Sequence, residues 1–120
     1  MLAKEIGRRH APIKAVLLDQ SLFAGVGNWI ADEVLFQAGI RPHRLARELS
    51  KAEVAAIRRV LHAIVARAVK ADADSSKFPK GWLFHRRWDH RGEQALADGS
   101  AIVRETIGGR TAAWVPKRQK

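Results

Sequence analysis

The hydrophobic positions in the first two thirds of the chain recur with the spacing of α-helices. The clearest case follows Ser50-Lys-Ala-Glu53, a capping-box signature in which each end residue satisfies a backbone donor of the other. Behind it, apolar side chains recur every three or four residues, while arginines and lysines point elsewhere. The apolar positions are Val54, Ile57, Leu61, Ile64 and Ala68. This pattern predicts a long amphipathic helix after residue 50.

Two shorter helices are predicted upstream of the long one. Pro12 suits the first turn of a helix, where its missing N–H costs nothing, and the apolar residues behind it predict a helix that ends near Asp19-Gln20. A second helix is predicted from about Trp29 to Ala38. Gly39 can end it in the left-handed conformation, and Pro42 prevents its continuation.

The pattern changes after residue 76, where the helical period disappears and aromatic residues and glycines become more frequent. Ala101–Ile107 and Arg110–Val115 are predicted strands separated by Gly108-Gly109, a hairpin signal because both turn positions tolerate positive φ. The sequence therefore predicts a mainly α fold with a small antiparallel β-hairpin. We divide it into a helical domain over residues 1–76 and a hairpin domain over residues 77–120.

The charge of the chain indicates a class of partner. Its 22 basic and 12 acidic residues give a net charge of +10, which favours nucleic acid or an acidic membrane surface. There is no cysteine, and the five histidines lack the spacing of a zinc site, so we expect no metal or other cofactor. No apolar run reaches the ~18 residues of a membrane span, and the start lacks the core of a signal peptide. We expect a soluble, intracellular protein.

The stretch from Gly25 to Asn28 is a candidate phosphate site. A helix N-terminus offers unpaired N–H groups and partial positive charge, and Gly25 and Gly27 would let a phosphate approach the backbone. The side-chain amide of Asn28 can also donate to a phosphate oxygen. Alternatively, Asn28 only caps the helix and the glycines only turn the chain. The residue types alone leave these two interpretations equally open.

Other residues are weaker candidates for a functional role. Arg110 follows the hairpin turn, where a guanidinium can contact phosphates or enter a groove, although a solvated surface arginine is the commoner case. Asp32 and Glu33 lie in the first helical turn, where carboxylates complement the helix dipole. Three aromatic residues are expected in the core more than as base-stacking platforms: Trp29, Trp82 and Trp114. No catalytic constellation emerges from the residues alone.

Three long segments together resemble the formamidopyrimidine-DNA glycosylase/endonuclease VIII family. Ile13–Pro42 resembles its helix–two-turn–helix segment, and Lys77–Trp88 and Ile107–Gln119 resemble its C-terminal finger. The likeness covers about residues 10–120, with the motifs in the family's order and spacing. It implies a helix–two-turn–helix bundle followed by a β-ribbon finger.

The family finger usually carries four cysteines that hold zinc, and the resemblance places other residues at those positions. They are Ala95, Asp98, Val115 and Arg118. The loop and finger segments most resemble the plant and fungal branch, so the resemblance implies a zincless finger. We expect aromatic packing to replace the metal. The residues expected to do so are Trp82, Phe84, Trp88 and Trp114.

The resemblance also implies roles for the candidate residues. Asn28 matches the loop asparagine that binds a phosphate near the lesion, assisted by the backbone around Gly25 and Gly27. Arg110, beside Gly109, matches the finger arginine that contacts the phosphates flanking the damaged nucleotide.

Glu33 matches a helix glutamate at the edge of the active site that supports catalysis. The family nucleophile is an N-terminal proline, followed by glutamate, in a separate β-sandwich domain. This chain begins at Met1-Leu2-Ala3, so we expect that domain to be absent and the chain to be inactive alone.

The expected function is damaged-DNA binding by the C-terminal portion of a base-excision-repair glycosylase and AP lyase for oxidised bases. The expected partners are double-stranded DNA with oxidised bases or abasic sites and a separate catalytic domain, in the bacterial cytoplasm and nucleoid or in the nucleus. One alternative is a stand-alone, non-catalytic protein that recognises abasic or distorted DNA. An RNA-binding or ribosomal protein fits the charge but not the Gly-Gly-Arg-Thr segment.

Overall fold

The structure is a computed structural model that describes residues 11–19, 27–71, 74–87, 95–96 and 98–120. The helices in these ranges are α1 (Ile13–Leu17), α2 (Asn28–Ala38), α3 (Lys51–Lys70) and α4 (Phe84–Arg87). Two 3-10 turns occupy Ala46–Glu48 and Ser75–Lys77. The strands are β1 (Val103–Ile107) and β2 (Arg110–Trp114). The mainly α fold with a small antiparallel hairpin is therefore confirmed.

Helix α1 begins directly after Pro12, as predicted, and ends at Leu17, slightly earlier than predicted. Gln20, where the prediction placed its end, lies outside the described residues. The first residues of α1 bind the loop that follows α2. The Ile13 N–H donates to the Arg44 carbonyl at 2.7 Å, and the Lys14 N–H donates to the Pro42 carbonyl at 3.3 Å. These bonds fix α1 against the rest of the helical bundle.

Helix α2 starts one residue earlier than predicted. Gly27 is its N-cap residue and Asn28 its first helical residue, so the alternative in which Asn28 only caps the helix does not hold. The other end agrees with the prediction: Gly39 adopts the left-handed conformation with φ of 75°, and its N–H donates to the Phe36 carbonyl. The side chain of Asn28 is therefore available for contacts outside the helix.

The capping box of α3 is confirmed. The Glu53 N–H donates to Ser50 Oγ at 3.1 Å, and the Ser50 N–H donates to Glu53 Oε1 at 2.9 Å. Val54, Ile57 and Ile64 are buried on the apolar face that the spacing predicted.

The hairpin has the predicted turn with shorter strands. Ile107 pairs with Arg110 and Val103 with Trp114, and the turn glycines Gly108 and Gly109 have φ of 64° and 80°. Helix α4, by contrast, was not predicted, because a single helical turn is too short to show a hydrophobic period.

Two apolar clusters organise the molecule. The first joins α1, α2 and α3 through residues such as Leu17, Leu35 and Ile57. The second brings the finger against α2 and consists of Phe36, Leu83, Ile102, Ala113 and Val115, with Leu96 beside them. The finger is therefore docked on the helices, and the division at residues 76 and 77 stays a prediction. Among the helices described, none is both long and apolar enough to cross a membrane.

The C-terminal segment is tied to the end of α2 by a buried glutamine. Gln119 is 1% exposed, accepts from the Val115 N–H at 2.6 Å and donates to the Ile40 carbonyl at 2.9 Å. The sequence offered no local signal for this residue, since it binds backbone groups and one of them, the Ile40 carbonyl, is 79 positions away.

Candidate nucleic-acid interface

The tip of the hairpin lies against helix α1. A Cβ added at Gly108 would lie 2.8 Å from Ala15 Cβ, closer than two such carbons can approach. No atom lies within 4 Å of the corresponding position at Gly109. The turn therefore buries one glycine against the helix and leaves the other open beside Arg110.

The structure brings Asn28 against the strand that begins at Arg110. Asn28 Nδ2 donates to the carbonyl of Thr111 at 3.0 Å, although Asn28 and Thr111 are 83 positions apart. Arg110 is exposed at the start of the same strand. One predicted DNA contact thus binds the backbone of the strand that carries the other.

The start of α2 at this surface retains unused hydrogen-bonding capacity. A helix leaves its first N–H groups without partners inside the helix, and Gly27 provides no side chain to satisfy them. The amide nitrogen of Asn28 carries two hydrogens, and one suffices for the bond to Thr111. Asn28 Oδ1 is buried without a partner in the described part of the chain. Gly25 lies outside the described residues.

A buried ion pair lies directly behind this surface. Lys14 and Asp32 are 0% and 1% exposed, and Lys14 Nζ contacts Asp32 Oδ1 closely. Lys14 Nζ also donates to the Thr111 carbonyl at 3.3 Å, and the Ala113 N–H donates to Asp32 Oδ2 at 3.1 Å. Sequence reasoning missed Lys14, for which the available signal was a lysine between Ile13 and Val16 in an apolar stretch.

Glu33 is buried and bound to the start of α4. Its Oε1 accepts from the Phe84 N–H at 2.6 Å, and its Oε2 accepts from the Leu83 N–H at 3.0 Å and from Gln37 Nε2 at 2.9 Å. Burial raises the pKa of the Glu33 carboxyl, and these hydrogen bonds only partly oppose the increase. Glu33 therefore binds the backbone N–H groups of Leu83 and Phe84. Its supporting role in catalysis stays a prediction.

The aromatic residues form two separate groups. Trp29 packs on Phe78 and Phe84 with ring centroids 5.6 and 4.9 Å away, and Trp82 lies 5.0 Å from Phe78. Trp114 packs elsewhere: Arg41 lies over its ring at 4.9 Å and His43 meets its edge at 4.8 Å. Trp82 and Phe84 thus pack apart from Trp114, and the replacement of zinc by aromatic packing stays a prediction. Trp88 lies outside the described residues.

The four positions that correspond to zinc ligands do not fit a metal. Ala95 and Val115 have no ligand atom, and Arg118 is a cation that forms a close ion pair with Asp98. The Arg118 guanidinium holds the pKa of the Asp98 carboxyl well below its usual range. Val115 is fully buried in the second apolar cluster. In the described ranges, no three His, Cys, Asp or Glu side chains form a group that could bind a metal ion.

This arrangement of helices and docked finger defines a helix–two-turn–helix protein. Residues 1–80 match the family model of the formamidopyrimidine-DNA glycosylase H2TH domain. The chain therefore belongs to the formamidopyrimidine-DNA glycosylase family.

Curated relatives and solved structures carry the same family name. The chain is 46% identical over 118 residues to formamidopyrimidine-DNA glycosylase of Arabidopsis thaliana, covering 98% of this chain and 30% of that protein. The enzyme of Prochlorococcus marinus strain MIT 9215 is 33% identical over 130 residues, covering 99% and 43%.

Two solved structures show the same fold. A complex of Lactococcus lactis Fpg with DNA containing an abasic site superimposes with a TM-score of 0.79 at 25% identity, covering 99% of this chain and 46% of that one. MutM (Fpg) of Thermus thermophilus gives a TM-score of 0.78 at 32% identity, covering 98% and 48%. The chain thus spans less than half the length of these proteins.

Proposed function

We propose that this chain is the C-terminal, damaged-DNA-binding portion of a base-excision-repair glycosylase and AP lyase of the formamidopyrimidine type. The observation that carries the proposal is the hydrogen bond from Asn28 to Thr111, the residue after Arg110. This bond joins the start of α2 to the strand that begins with the hairpin arginine, which supports a shared contact with DNA. The family membership and a net charge of +10 support DNA as the partner.

The site would bind the DNA backbone rather than read base edges. The amides at the start of α2 and the free hydrogen of the Asn28 amide would bind one phosphate. Arg110 would contact a neighbouring phosphate in a bidentate manner, and the open space at Gly109 would let the strand approach the turn. Contacts of this kind hold a duplex in register without selecting a sequence.

In this proposal the chain holds a distorted duplex while the damaged nucleotide is turned out of the stack. Base excision would depend on the N-terminal proline that the family resemblance implies. The match covers 30% of the Arabidopsis relative, and we assign that proline to the remainder of such a protein. The chain would act where cellular DNA is kept, in the bacterial nucleoid or in the nucleus.

The test is the salt dependence of binding to a duplex with an abasic-site analogue. The logarithm of the binding constant should fall with the logarithm of salt concentration by about 0.9 per phosphate contacted. Arg110→Ala should lower this slope by about 0.9 and weaken binding to damaged and undamaged duplexes alike. Arg58→Ala, at an exposed position of α3, is the matched control and should leave the slope unchanged.

Binding that is insensitive to salt, or equal effects of the two arginine variants, would contradict the proposal. An excess of unlabelled structured RNA in the same assay tests the alternative of an RNA-binding protein. RNA that competes as well as the abasic duplex would favour that alternative.

A further inference from the structure

Lys14 and Asp32 are charged side chains in a place where charge is costly. Both are essentially inaccessible to solvent, in a region packed with apolar residues of α1 and α2. A buried ion pair repays its desolvation only when further hydrogen bonds satisfy the remaining polar atoms. The nature of those further bonds therefore indicates what the pair contributes.

The further bonds lead to strand β2. Lys14 Nζ donates to the carbonyl of Thr111, and Asp32 Oδ2 accepts from the N–H of Ala113. Among the described residues the sheet has two strands, so β2 has a strand partner there on one edge only. The carbonyl of Thr111 and the N–H of Ala113 belong to its other edge. An isolated two-stranded hairpin is marginally stable in water, so an outside support for this edge matters.

Two side chains, one from each of two helices, thus make the hydrogen bonds that a neighbouring third strand would make with this edge of β2. Lys14 comes from α1 and Asp32 from α2, four residues after Asn28. Asn28 itself donates to the same carbonyl as Lys14. Strand β2, which begins at Arg110, is therefore fastened to the helix whose start carries the candidate phosphate site.

We propose that Asp32 is a positioning residue: its bond to the Ala113 N–H, with Lys14 as its counter-ion, holds strand β2 in register with α2, so that Arg110 and Asn28 bind the same DNA backbone at once. This inference rests on the proposed function and adds a residue that contacts no DNA. Without that bond, the hairpin stays packed through Ala113 and Val115, but its register on α2 is no longer fixed.

The test compares two double variants that differ in one hydrogen-bond acceptor. Lys14→Met/Asp32→Leu replaces the pair with apolar side chains of similar size and removes both bonds to β2. Lys14→Met/Asp32→Asn removes the charges but keeps an amide oxygen that can accept from the Ala113 N–H. Each variant loses one positive and one negative charge, so the net charge stays at +10 and cannot itself change DNA binding.

The salt slope of abasic-duplex binding is the functional readout. The Asp32→Leu double variant should lose about 0.9 from the slope, as Arg110→Ala does, and adding Arg110→Ala to it should remove nothing further. The Asp32→Asn double variant should keep the wild-type slope and its sensitivity to Arg110→Ala. A merely structural loss of stability would lower the melting temperature without making the two defects overlap in this way.

Hydrogen exchange at the Ala113 amide tests the contact without DNA. We expect protection in the wild type and in the Asp32→Asn double variant, and its loss in the Asp32→Leu double variant. Rapid exchange of this amide in the wild type would overturn the proposal even if the Asp32→Leu double variant fails to fold.

The failures of the two proposals can be distinguished. A slope that Arg110→Ala does not change in the wild type overturns the proposed function, and the positioning role with it. The other case is that Arg110→Ala lowers the slope in the wild type as expected, while the folded Asp32→Leu double variant keeps the wild-type slope. That result overturns the positioning role alone.

Discussion

Gly108 is the residue at which the hairpin comes closest to the helices. It adopts φ of 64°, and an added Cβ would meet Ala15 Cβ at 2.8 Å and Ala15 Cα at 3.0 Å. Gly109 has φ of 80°, which glycine adopts without strain, and no atom of the described residues lies within 4 Å of the corresponding position. Both glycines need the left-handed conformation, but only Gly108 also needs the absence of a side chain against Ala15. Substitutions at the two positions therefore separate the cost of conformation from the cost of the close contact.

We expect Gly109→Ala to lower the free energy of unfolding by about 1–2 kcal/mol, the cost of a left-handed conformation for a residue with a Cβ. Gly108→Ala should lower it by at least about 1 kcal/mol more, because the hairpin must also move away from α1. Urea unfolding of both variants measures the difference. Equal losses would show that Gly108 is not packed against Ala15.

Glu33 makes the stability of the protein depend on pH. Burial raises the pKa of its carboxyl from the ordinary value of 4.5, so the folded state binds this proton more tightly than the unfolded state does. Its contribution to stability is fully present below the unfolded value. It is lost as the pH rises through the folded value.

Glu33→Gln tests this dependence. The free energy of unfolding of the wild type, minus that of the variant, should decrease as the pH rises from 4.5 towards neutrality. Urea unfolding at several pH values measures it. A difference that stays constant or increases with pH would contradict the raised pKa.

The sequence predicted the roles of residues whose conformation depends on their neighbours in the chain. It did not predict the roles of residues that bind distant partners. Gly39, Ser50 and the glycine turn are recognisable because their conformations depend on a few neighbours in sequence. Lys14 and Gln119 are held by residues 18 to 97 positions away, which no local pattern reveals.

At the scale of elements, apolar packing holds the finger to α2. Val115 is fully buried among Phe36, Leu83 and Ile102, while the Asp98–Arg118 ion pair is about half exposed. Exposed ion pairs contribute little to stability, because water screens them and ordering the side chains costs entropy. The apolar cluster should therefore dominate.

We expect Val115→Ala to lower the free energy of unfolding by about 2 kcal/mol, from lost burial and the cavity left behind. Asp98→Asn should leave it nearly unchanged. Val69→Ala makes the same chemical change at a residue that is 74% exposed, and should have little effect. A larger loss from Asp98→Asn than from Val115→Ala would show that the ion pair holds the finger.

The lengths of the elements show where sequence patterns are informative. Helix α3 was predicted from its capping box and its period, because 20 residues contain enough turns to define an apolar face. Helix α4 has four residues and depends on Glu33, which accepts from its first N–H across 51 positions. Its existence is a tertiary effect, so the sequence around it could not indicate a helix.

At the scale of the whole molecule, the proposed interface combines parts from opposite ends of the chain. Asn28 and Thr111 are 83 residues apart, and the resemblance to a known family, rather than any local pattern, predicted that Asn28 and the neighbouring Arg110 both bind DNA. The contact between Asn28 and Thr111 follows from the docking of the finger. Under the proposed function, the described part of the chain would provide a preorganised surface for phosphates.

The amine of Lys14 shows whether this surface also performs chemistry. An amine that attacks the sugar of an abasic site must be unprotonated and accessible, and borohydride traps the resulting Schiff base. Lys14 Nζ is inaccessible to solvent and is held by the Asp32 carboxylate and the Thr111 carbonyl, so it cannot reach the sugar of a DNA strand bound outside the protein. We expect wild type and Lys14→Met/Asp32→Asn to give equal trapping, no greater than that of an unrelated protein of similar positive charge. Less adduct from the variant than from the wild type would instead give Lys14 a chemical role, and binding of DNA would then be only part of what this surface does.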